Sequence, residues 1–366
     1  MSSLYQEYDP ETLRRLQRVL RMMLADFDAL CRKHGIRYFA GGGTAIGAVR
    51  HHGMIPWDDD IDLNLLREDY EKFLSVAETE YGDKYYVLNA RKYPGYPLPT
   101  TRWCLRGTVF REECMSHLDL PFGIFLDIYA FDPLPDDDRA ARRQWRRAWL
   151  WGKLLTLRQV PSPVLYVRGF RARLVAAACR IGHAVLKILF RPSFLARKAE
   201  SWARRSEGRP DCARAAWMFD TVPYLSVVDA GASRRTRSVP FDGGTIELAE
   251  DCEDYLARRF GDYMTVPPPD RRHNHPPKAL DFGPYAPAPW PSPPLHPGSC
   301  ASCCRRRAAT GSCGTRRGTR PRTGPRPDSR SSCSCSRRAW RARIGAALRL
   351  WDWPSPSSSS RWETLR

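Results

Sequence analysis

Ile55-Pro56-Trp57-Asp58-Asp59-Asp60-Ile61-Asp62-Leu63 is the stretch on which the fold and chemistry of this 366-residue chain turn. The alternation of acid and aliphatic residues predicts a strand over Asp60–Leu65. Alternate side chains of a strand share a face, so Asp60 and Asp62 project one way, with Asp58 at the strand entrance, while Ile61 and Leu63 enter the core. Carboxylates that close together repel and raise one another's pKa unless a cation lies between them. Hard oxygen donors select Mg²⁺ or Mn²⁺ over zinc. A solvated acidic turn is the bland alternative, and the interleaved Ile and Leu argue against it.

Working outward, the residues before this run read as strand, glycine turn, helix: Ile36–Ala40, Gly41-Gly42-Gly43-Thr44, then Ala45–Arg50. Neither the dinucleotide pattern nor the Walker pattern fits, because Ile46 and Ala48 stand where a small residue and Lys are needed. Two readings stay open for Gly42, Gly43 and Thr44: a backbone that approaches a phosphate at a helix N-terminus, or a tight turn with no ligand. Downstream, Gly123-Ile124-Phe125-Leu126-Asp127-Ile128-Tyr129-Ala130-Phe131-Asp132 sets an acid in an apolar strand, where burial is costly without a cation or hydrogen bonds. Asp132, next to Pro133, suits an ordinary ion pair with Arg; Asp127 is the third candidate metal ligand or a general base. Arg50 and His51 lie within reach of an anionic substrate, and a guanidinium grips phosphate in bidentate fashion. His273-Asn274-His275 raises a zinc site, which lacks a Cys pair at ligand spacing.

Helical periodicity is plain at Leu13–Leu30 with Gly35 as a stop, at Glu68–Tyr81, and at Cys252–Phe260 with Gly261 as a stop. Further strands are expected at Tyr85–Asn89, Thr100–Leu105 and Ile124–Phe131, and a hairpin at Val239–Leu248. Asp138 to about Arg205 is Arg-rich and helical in pattern, broken at Pro161-Ser162-Pro163 and at Pro192. The chain carries 59 Lys and Arg against 40 Asp and Glu, a net +19. Of that excess, Pro287–Arg366 supplies 16 Arg less 3 acids, or +13, together with 6 of the 12 Cys, 11 Pro and 14 Ser. Such a tail cannot build a core and reads as disordered, or as a GC-rich coding region in another frame. Because the excess sits in the tail, the charge does not favour a nucleic-acid-binding domain. The polar N-terminus and the unpaired cysteines of the first 286 residues predict a cytoplasmic protein with reduced thiols.

Gly43-Thr44-Ala45-Ile46-Gly47-Ala48-Val49-Arg50-His51-His52-Gly53-Met54 followed by Ile55–Asp62 resembles the signature of the LicD family, the choline-phosphate transferases of bacterial surface glycans, within the nucleotidyltransferase-fold superfamily. Arg67-Glu68-Asp69-Tyr70, Asp127–Asp132 and Phe260-Gly261-Asp262-Tyr263-Met264 with Pro267-Pro268 extend the likeness across about residues 10–285. Ala45-Ile46 replaces a more usual Leu-Leu, Met54 a Phe, and Arg102 a Lys. The resemblance implies an α/β (α+β) fold: a nucleotidyltransferase-like mixed sheet flanked by helices, with a helical insert and the tail appended. The expected divisions are a catalytic core at 1–137, a helical insert at 138–220, the rest of the LicD-like domain at 221–285, and the tail at 286–366.

By the same resemblance Asp60, Asp62 and Asp127 hold Mg²⁺ or Mn²⁺ and carry catalysis, while Gly42, Gly43, Thr44 and Arg102 contact substrate; Arg50, His51 and Trp57 are expected to contact it from their own chemistry and place in the chain. The implied reaction moves phosphocholine from CDP-choline to a hydroxyl of a glycan, or of its lipid-linked precursor at the inner membrane face, releasing CMP. Tyr93, Tyr96 and Trp103 join Trp57 as aromatic faces available to a quaternary ammonium. Nucleotidyl transfer at an α-phosphorus is the alternative within the enzyme class. From other classes come a basic nucleic-acid-binding protein and a peripheral membrane protein that uses the Arg-rich insert.

Overall fold

The helix predicted from Leu13–Leu30 is α1, Pro10–His34: Asp9 caps it by accepting from the Thr12 N–H, and Gly35, at φ 60°, ends it. We describe a computed structural model covering residues 7–161, 170–220, 223–272 and 274–285. Contacts divide the chain into two units, Met1–Pro294 and Leu295–Arg366, and every described residue belongs to the first. The tail reading therefore lies outside the described residues, as does His273.

After α1 come β1 (Phe39–Ala40), α2 (Gly42–His51), β2 (Asp62–Leu66), α3 (Arg67–Tyr81), β3 (Tyr85–Leu88), β4 (Thr101–Leu105), β5 (Val109–Arg111) and β6 (Phe125–Leu134). The helical segment follows as α4 (Asp138–Gln159), α5 (Phe170–Leu189) and α6 (Pro192–Ala203). Then come β7 (Arg214–Ala216), β8 (Val227–Asp229), α7 (Ala230–Arg234), β9 (Thr236–Phe241), β10 (Gly244–Ala249), α8 (Cys252–Phe260) and β11 (Ala279–Asp281). The central sheet has the order β1-β2-β6-β4-β3, with β7 and β8 continuing from the far half of β6. It is mixed: β2 and β6 are parallel, and the other pairings are antiparallel. Helices and a mixed sheet make this an α/β protein.

The core follows from the sequence pattern. Trp103, fully buried on β4, lies against Phe27 and Phe73 and against Tyr85, whose ring centroid is 3.8 Å away. Replacing such a ring with Ala costs about 3–5 kcal/mol. Tyr96 is equally buried. Both are expected from sequence to offer faces to a ligand, and burial in the core removes them from that role.

The boundaries of β1 and β2 differ from expectation. β1 is only Phe39–Ala40, because pairing with β2 is limited to Phe39↔Asn64 and Ala40↔Leu63. β2 starts at Asp62 rather than Asp60, because the residues before it form a turn. In that turn the Asp58 N–H donates to the Ile55 carbonyl at 2.9 Å, and Gln17 of α1 donates to the Asp58 carbonyl at 2.9 Å. Asp58 thus closes a pinned turn, and Asp59 and Asp60 lie in the short irregular link between that turn and the strand.

Candidate active site

The turn and two strands bring the acidic residues to one sheet end. Parallel pairing sets Asp62 of β2 opposite Asp127 of β6, and antiparallel pairing sets Arg102 of β4 opposite Asp127 on its other side. A cavity of about 180 Å³ opens there, lined by Asp59, Asp60, Arg102, Phe110, Glu112, Phe125, Asp127, Tyr129 and His275. Asp62 is not among the lining residues, but its Oδ1 accepts from the hydroxyl of Tyr129, which is, at 3.1 Å.

The residues expected to form a turn before the site are in fact the first turn of α2. Gly42, at φ +47°, comes so close to Asp62 that a Cβ would collide with its carboxylate, and a Cβ on Gly43 would lie 2.7 Å from Asp58 Oδ2. The first N–H groups of any α-helix lack intrahelical acceptors, and this helix has no side-chain cap. Carboxylates facing that end are stabilised by the helix dipole. Thr44 is buried, and its hydroxyl oxygen accepts from the Asp62 N–H at 2.8 Å, which locks the helix to the strand.

Asp59 is the most enclosed carboxylate of the run. It accepts from the Tyr8 hydroxyl at 2.7 Å and from the His275 backbone N–H at 2.9 and 3.0 Å. Those bonds bring the imidazole of His275 to the site, with Nδ1 3.8 Å from Asp59 Oδ1 and 3.6 Å from Asp60 Oδ2. Among the described residues, Asp59, Asp60 and His275 form the group whose ligand atoms all lie within 4.8 Å of one another.

The electrostatics of these acids follow from their burial and crowding. Burial first, then the charges of Asp59 and Asp62, push the Asp58 carboxyl up to about 8. Burial and neighbouring carboxylates also drive Asp60 and Asp62 well above the ordinary range. Asp127 is raised by burial as well, against the pull of Arg102. So many acids with so few counter-charges fit a bound cation. The donors are carboxylate oxygens plus one imidazole, a set that could hold a divalent metal.

Other expected contacts lie elsewhere. Arg102 lines the cavity, but it is 3% exposed and already engaged: it donates to Glu112 at 2.8 Å and to Asp127 at 3.3 Å, and its guanidinium lies 3.7 Å from the Phe125 ring centroid. Arg50 donates to His51 at 2.9 Å and to the Tyr263 carbonyl at 2.6 Å; neither Arg50 nor His51 is among the lining residues. Arg272 covers the Trp57 ring at 4.0 Å. Asp59, Glu112 and Tyr129 line the cavity without being picked out in the sequence, and His275 is picked out there only as part of a zinc motif. For Asp59 a signal exists, since it sits in the same acidic run. The motif around His275 is visible in the sequence, but its partners lie more than two hundred residues earlier.

Residues 35–120 match the family described as LicD/FKTN/FKRP, nucleotidyltransferase domain. The chain is similar to the lipopolysaccharide cholinephosphotransferase LicD of Haemophilus influenzae, 35% identical over 136 residues, which is 35% of this chain and 47% of that protein. It is also similar to the human and mouse ribitol 5-phosphate transferase FKRP, 40% identical over 73 residues, 20% of this chain and 14% of each relative. The chain thus spans about half or less of the curated relatives it matches. Asp59, Asp60, Asp62, Arg102 and Glu112 fall inside the matched segment, while Asp127 and His275 are added by elements beyond it. Residues 35–120, which hold the acidic turn and β2, thus resemble the nucleotidyltransferase domain of the LicD family.

Proposed function

We propose that this protein is a phosphotransferase that moves a phospho-alcohol from a nucleotide-activated donor to a hydroxyl of a glycan, with CDP-choline as the first donor to test. The carrying observation is the convergence of Asp59, Asp60, Asp127 and His275 on one cavity, within a domain related to a cholinephosphotransferase and a ribitol 5-phosphate transferase. Asp60, Asp62 and Asp127, with Asp59 and His275 beside them, are the proposed holders of Mg²⁺ or Mn²⁺. When bound, the ion would neutralise donor phosphate charge and favour ionisation of the acceptor hydroxyl.

The chain's own groups supply the rest. Asp127 is the proposed acceptor of the hydroxyl proton, since β6 places its carboxylate on the cavity wall beside Asp60 and Tyr129. Arg102, fixed by Glu112, keeps that carboxylate in place. The N-terminal turn of α2, with Gly42, Gly43 and Thr44, is the proposed phosphate-side wall. Arg50, His51 and Trp57 remain proposed contacts for the more distant parts of donor or acceptor. The acceptor is proposed as a cell-envelope glycan or its lipid-linked precursor, met on the cytoplasmic side.

The test supplies purified glycan acceptor with CDP-choline, CDP-ethanolamine, CDP-glycerol and CDP-ribitol in parallel, and identifies products by mass spectrometry. CMP together with a phospho-alcohol on the glycan is the expected result. Pyrophosphate from a nucleoside triphosphate, with a nucleotide on the acceptor, would replace this reading with nucleotidyl transfer.

A further inference from the structure

Residues 139–199 contain 15 Lys and Arg and not one Asp or Glu. α5, Phe170–Leu189, lies in the middle of this stretch. One side of α5 packs on α4: Leu186 is buried, and His183 Nδ1 lies 3.0 Å from the Leu157 carbonyl. The other side is bare. Leu174, Ile181, Val185 and Ile188 are 55, 67, 46 and 84% exposed, at steps of seven, four and three that stack them in one row. Steps of this kind keep residues on a single helix face.

Beside that row runs a second, of exposed cations: Arg173, Arg180 and Lys187, seven residues apart. None of the three has a carboxylate partner among the described residues. An exposed apolar face edged by cations is the pattern of a helix that lies in the plane of a membrane surface, its aliphatic residues at the acyl boundary and its cations at anionic headgroups. A helix of twenty residues spans about 30 Å when it lies flat. No helix among the described residues is long and apolar enough to cross a membrane.

We infer that the exposed face of α5 docks on an anionic lipid bilayer surface, with Leu174, Ile181, Val185 and Ile188 inserted and Arg173, Arg180 and Lys187 on the headgroups. The cations select the occupant. A second copy of the same face would set like charges against one another, and a nucleic acid would leave the aliphatic row in water. The inference is independent of which group the active site transfers.

The experiment uses the full chain, whose Arg-rich stretch after Tyr285 can itself bind anionic lipid through charge alone. Binding is measured by co-sedimentation with vesicles of phosphatidylglycerol in phosphatidylcholine, and with phosphatidylcholine alone, at low and high salt. Ile181→Glu with Ile188→Glu should weaken partitioning to the anionic vesicles by at least about tenfold. That loss should persist at high salt, where charge-only binding is screened. Arg180→Glu with Lys187→Glu should weaken it at low salt. Melting temperature and transfer to a soluble acceptor should not change in either variant. If the isoleucine variant loses its melting transition, Ile181→Ser with Ile188→Ser gives the same reading. Partitioning of the isoleucine variants equal to that of the parent would overturn the proposal and assign binding to the tail. So would equal binding of the parent to phosphatidylcholine alone. A parent dimer that the variants dissolve, with vesicle binding intact, would make the face an interface between copies and equally overturn it.

Discussion

Strand β6 carries two buried acids five residues apart, and they are in opposite circumstances. Asp132 is held by Arg67 through two bonds, 2.7 Å from Nε and 2.9 Å from Nη2, and Glu71, Glu200, Arg91 and Arg204 continue the alternation of charge around it. Asp127 receives one long bond of 3.3 Å from Arg102, whose closer partner is Glu112 at 2.8 Å, and it faces Asp60 and Asp62 besides. At one end of the strand charge is balanced within the protein. At the other it is left unbalanced, at the sheet end where the cavity opens. A buried pair of the first kind is costly to break, and a crowd of buried acids with raised pKa in a cavity marks a candidate functional site.

The sharpest break of this comparison is charge removal at the unbalanced end. Asp60→Asn or Asp62→Asn should reduce turnover at least about a hundredfold, since a lost ligand charge weakens cation binding. The melting temperature of the metal-free protein should hold or rise, because a repulsion is relieved. EDTA should reproduce the loss in the parent, with Mg²⁺ or Mn²⁺ restoring activity. Turnover within tenfold of the parent would remove these carboxylates from the metal site.

At the balanced end the same kind of change should act on the fold. Asp132→Ala leaves the Arg67 guanidinium buried without its main partner, at a cost of about 3 kcal/mol, read from urea unfolding. Arg67→Met combined with Asp132→Leu should recover most of it, because the pair is removed together. If Asp132→Ala instead abolished activity at unchanged stability, the two ends would not differ as argued.

The difference between the ends is partly legible in the sequence. Acids interrupting apolar strands mark Asp60, Asp62 and Asp127, and the neighbouring Pro133 marks Asp132 as the ordinary ion pair. Helices α1, α3 and α8 are equally legible, because periodicity and a glycine stop are local signals. What escapes depends on distant partners. Asp59 is fixed by a backbone N–H 216 residues further along, at His275, and only the folded chain closes that distance. Tyr96 and Trp103 mislead for the same reason: composition shows an aromatic but not that the fold buries it, as Phe27 of α1 and Phe73 of α3 do for Trp103. The glycines are legible as close-approach positions, yet what approaches Gly42 and Gly43 includes the protein's own carboxylates.

The smallest expected effect sharpens the comparison through pH. Burial opposes ionisation of Glu71, but its hydrogen bonds and charge interaction with Arg91, joined by Arg67, prevail and bring its carboxyl down to about 2 from an ordinary 4.5. A carboxylate with a depressed pKa adds stability that is complete above its unfolded value and is lost as pH falls through its folded value. The window therefore runs from about 4.5 down to about 2. Because Glu71 is partly exposed, solvent screening limits its contribution to roughly 1 kcal/mol. Glu71→Gln carries no charge at any pH, so it should be less stable than the parent near neutrality by that amount. The gap should close as pH falls through the window, measured by urea unfolding at a series of pH values. A gap that stays constant would mean that Glu71 acts by packing and hydrogen bonding rather than by charge, and the balance ascribed to this end of β6 would then rest on Asp132 and Arg67 alone.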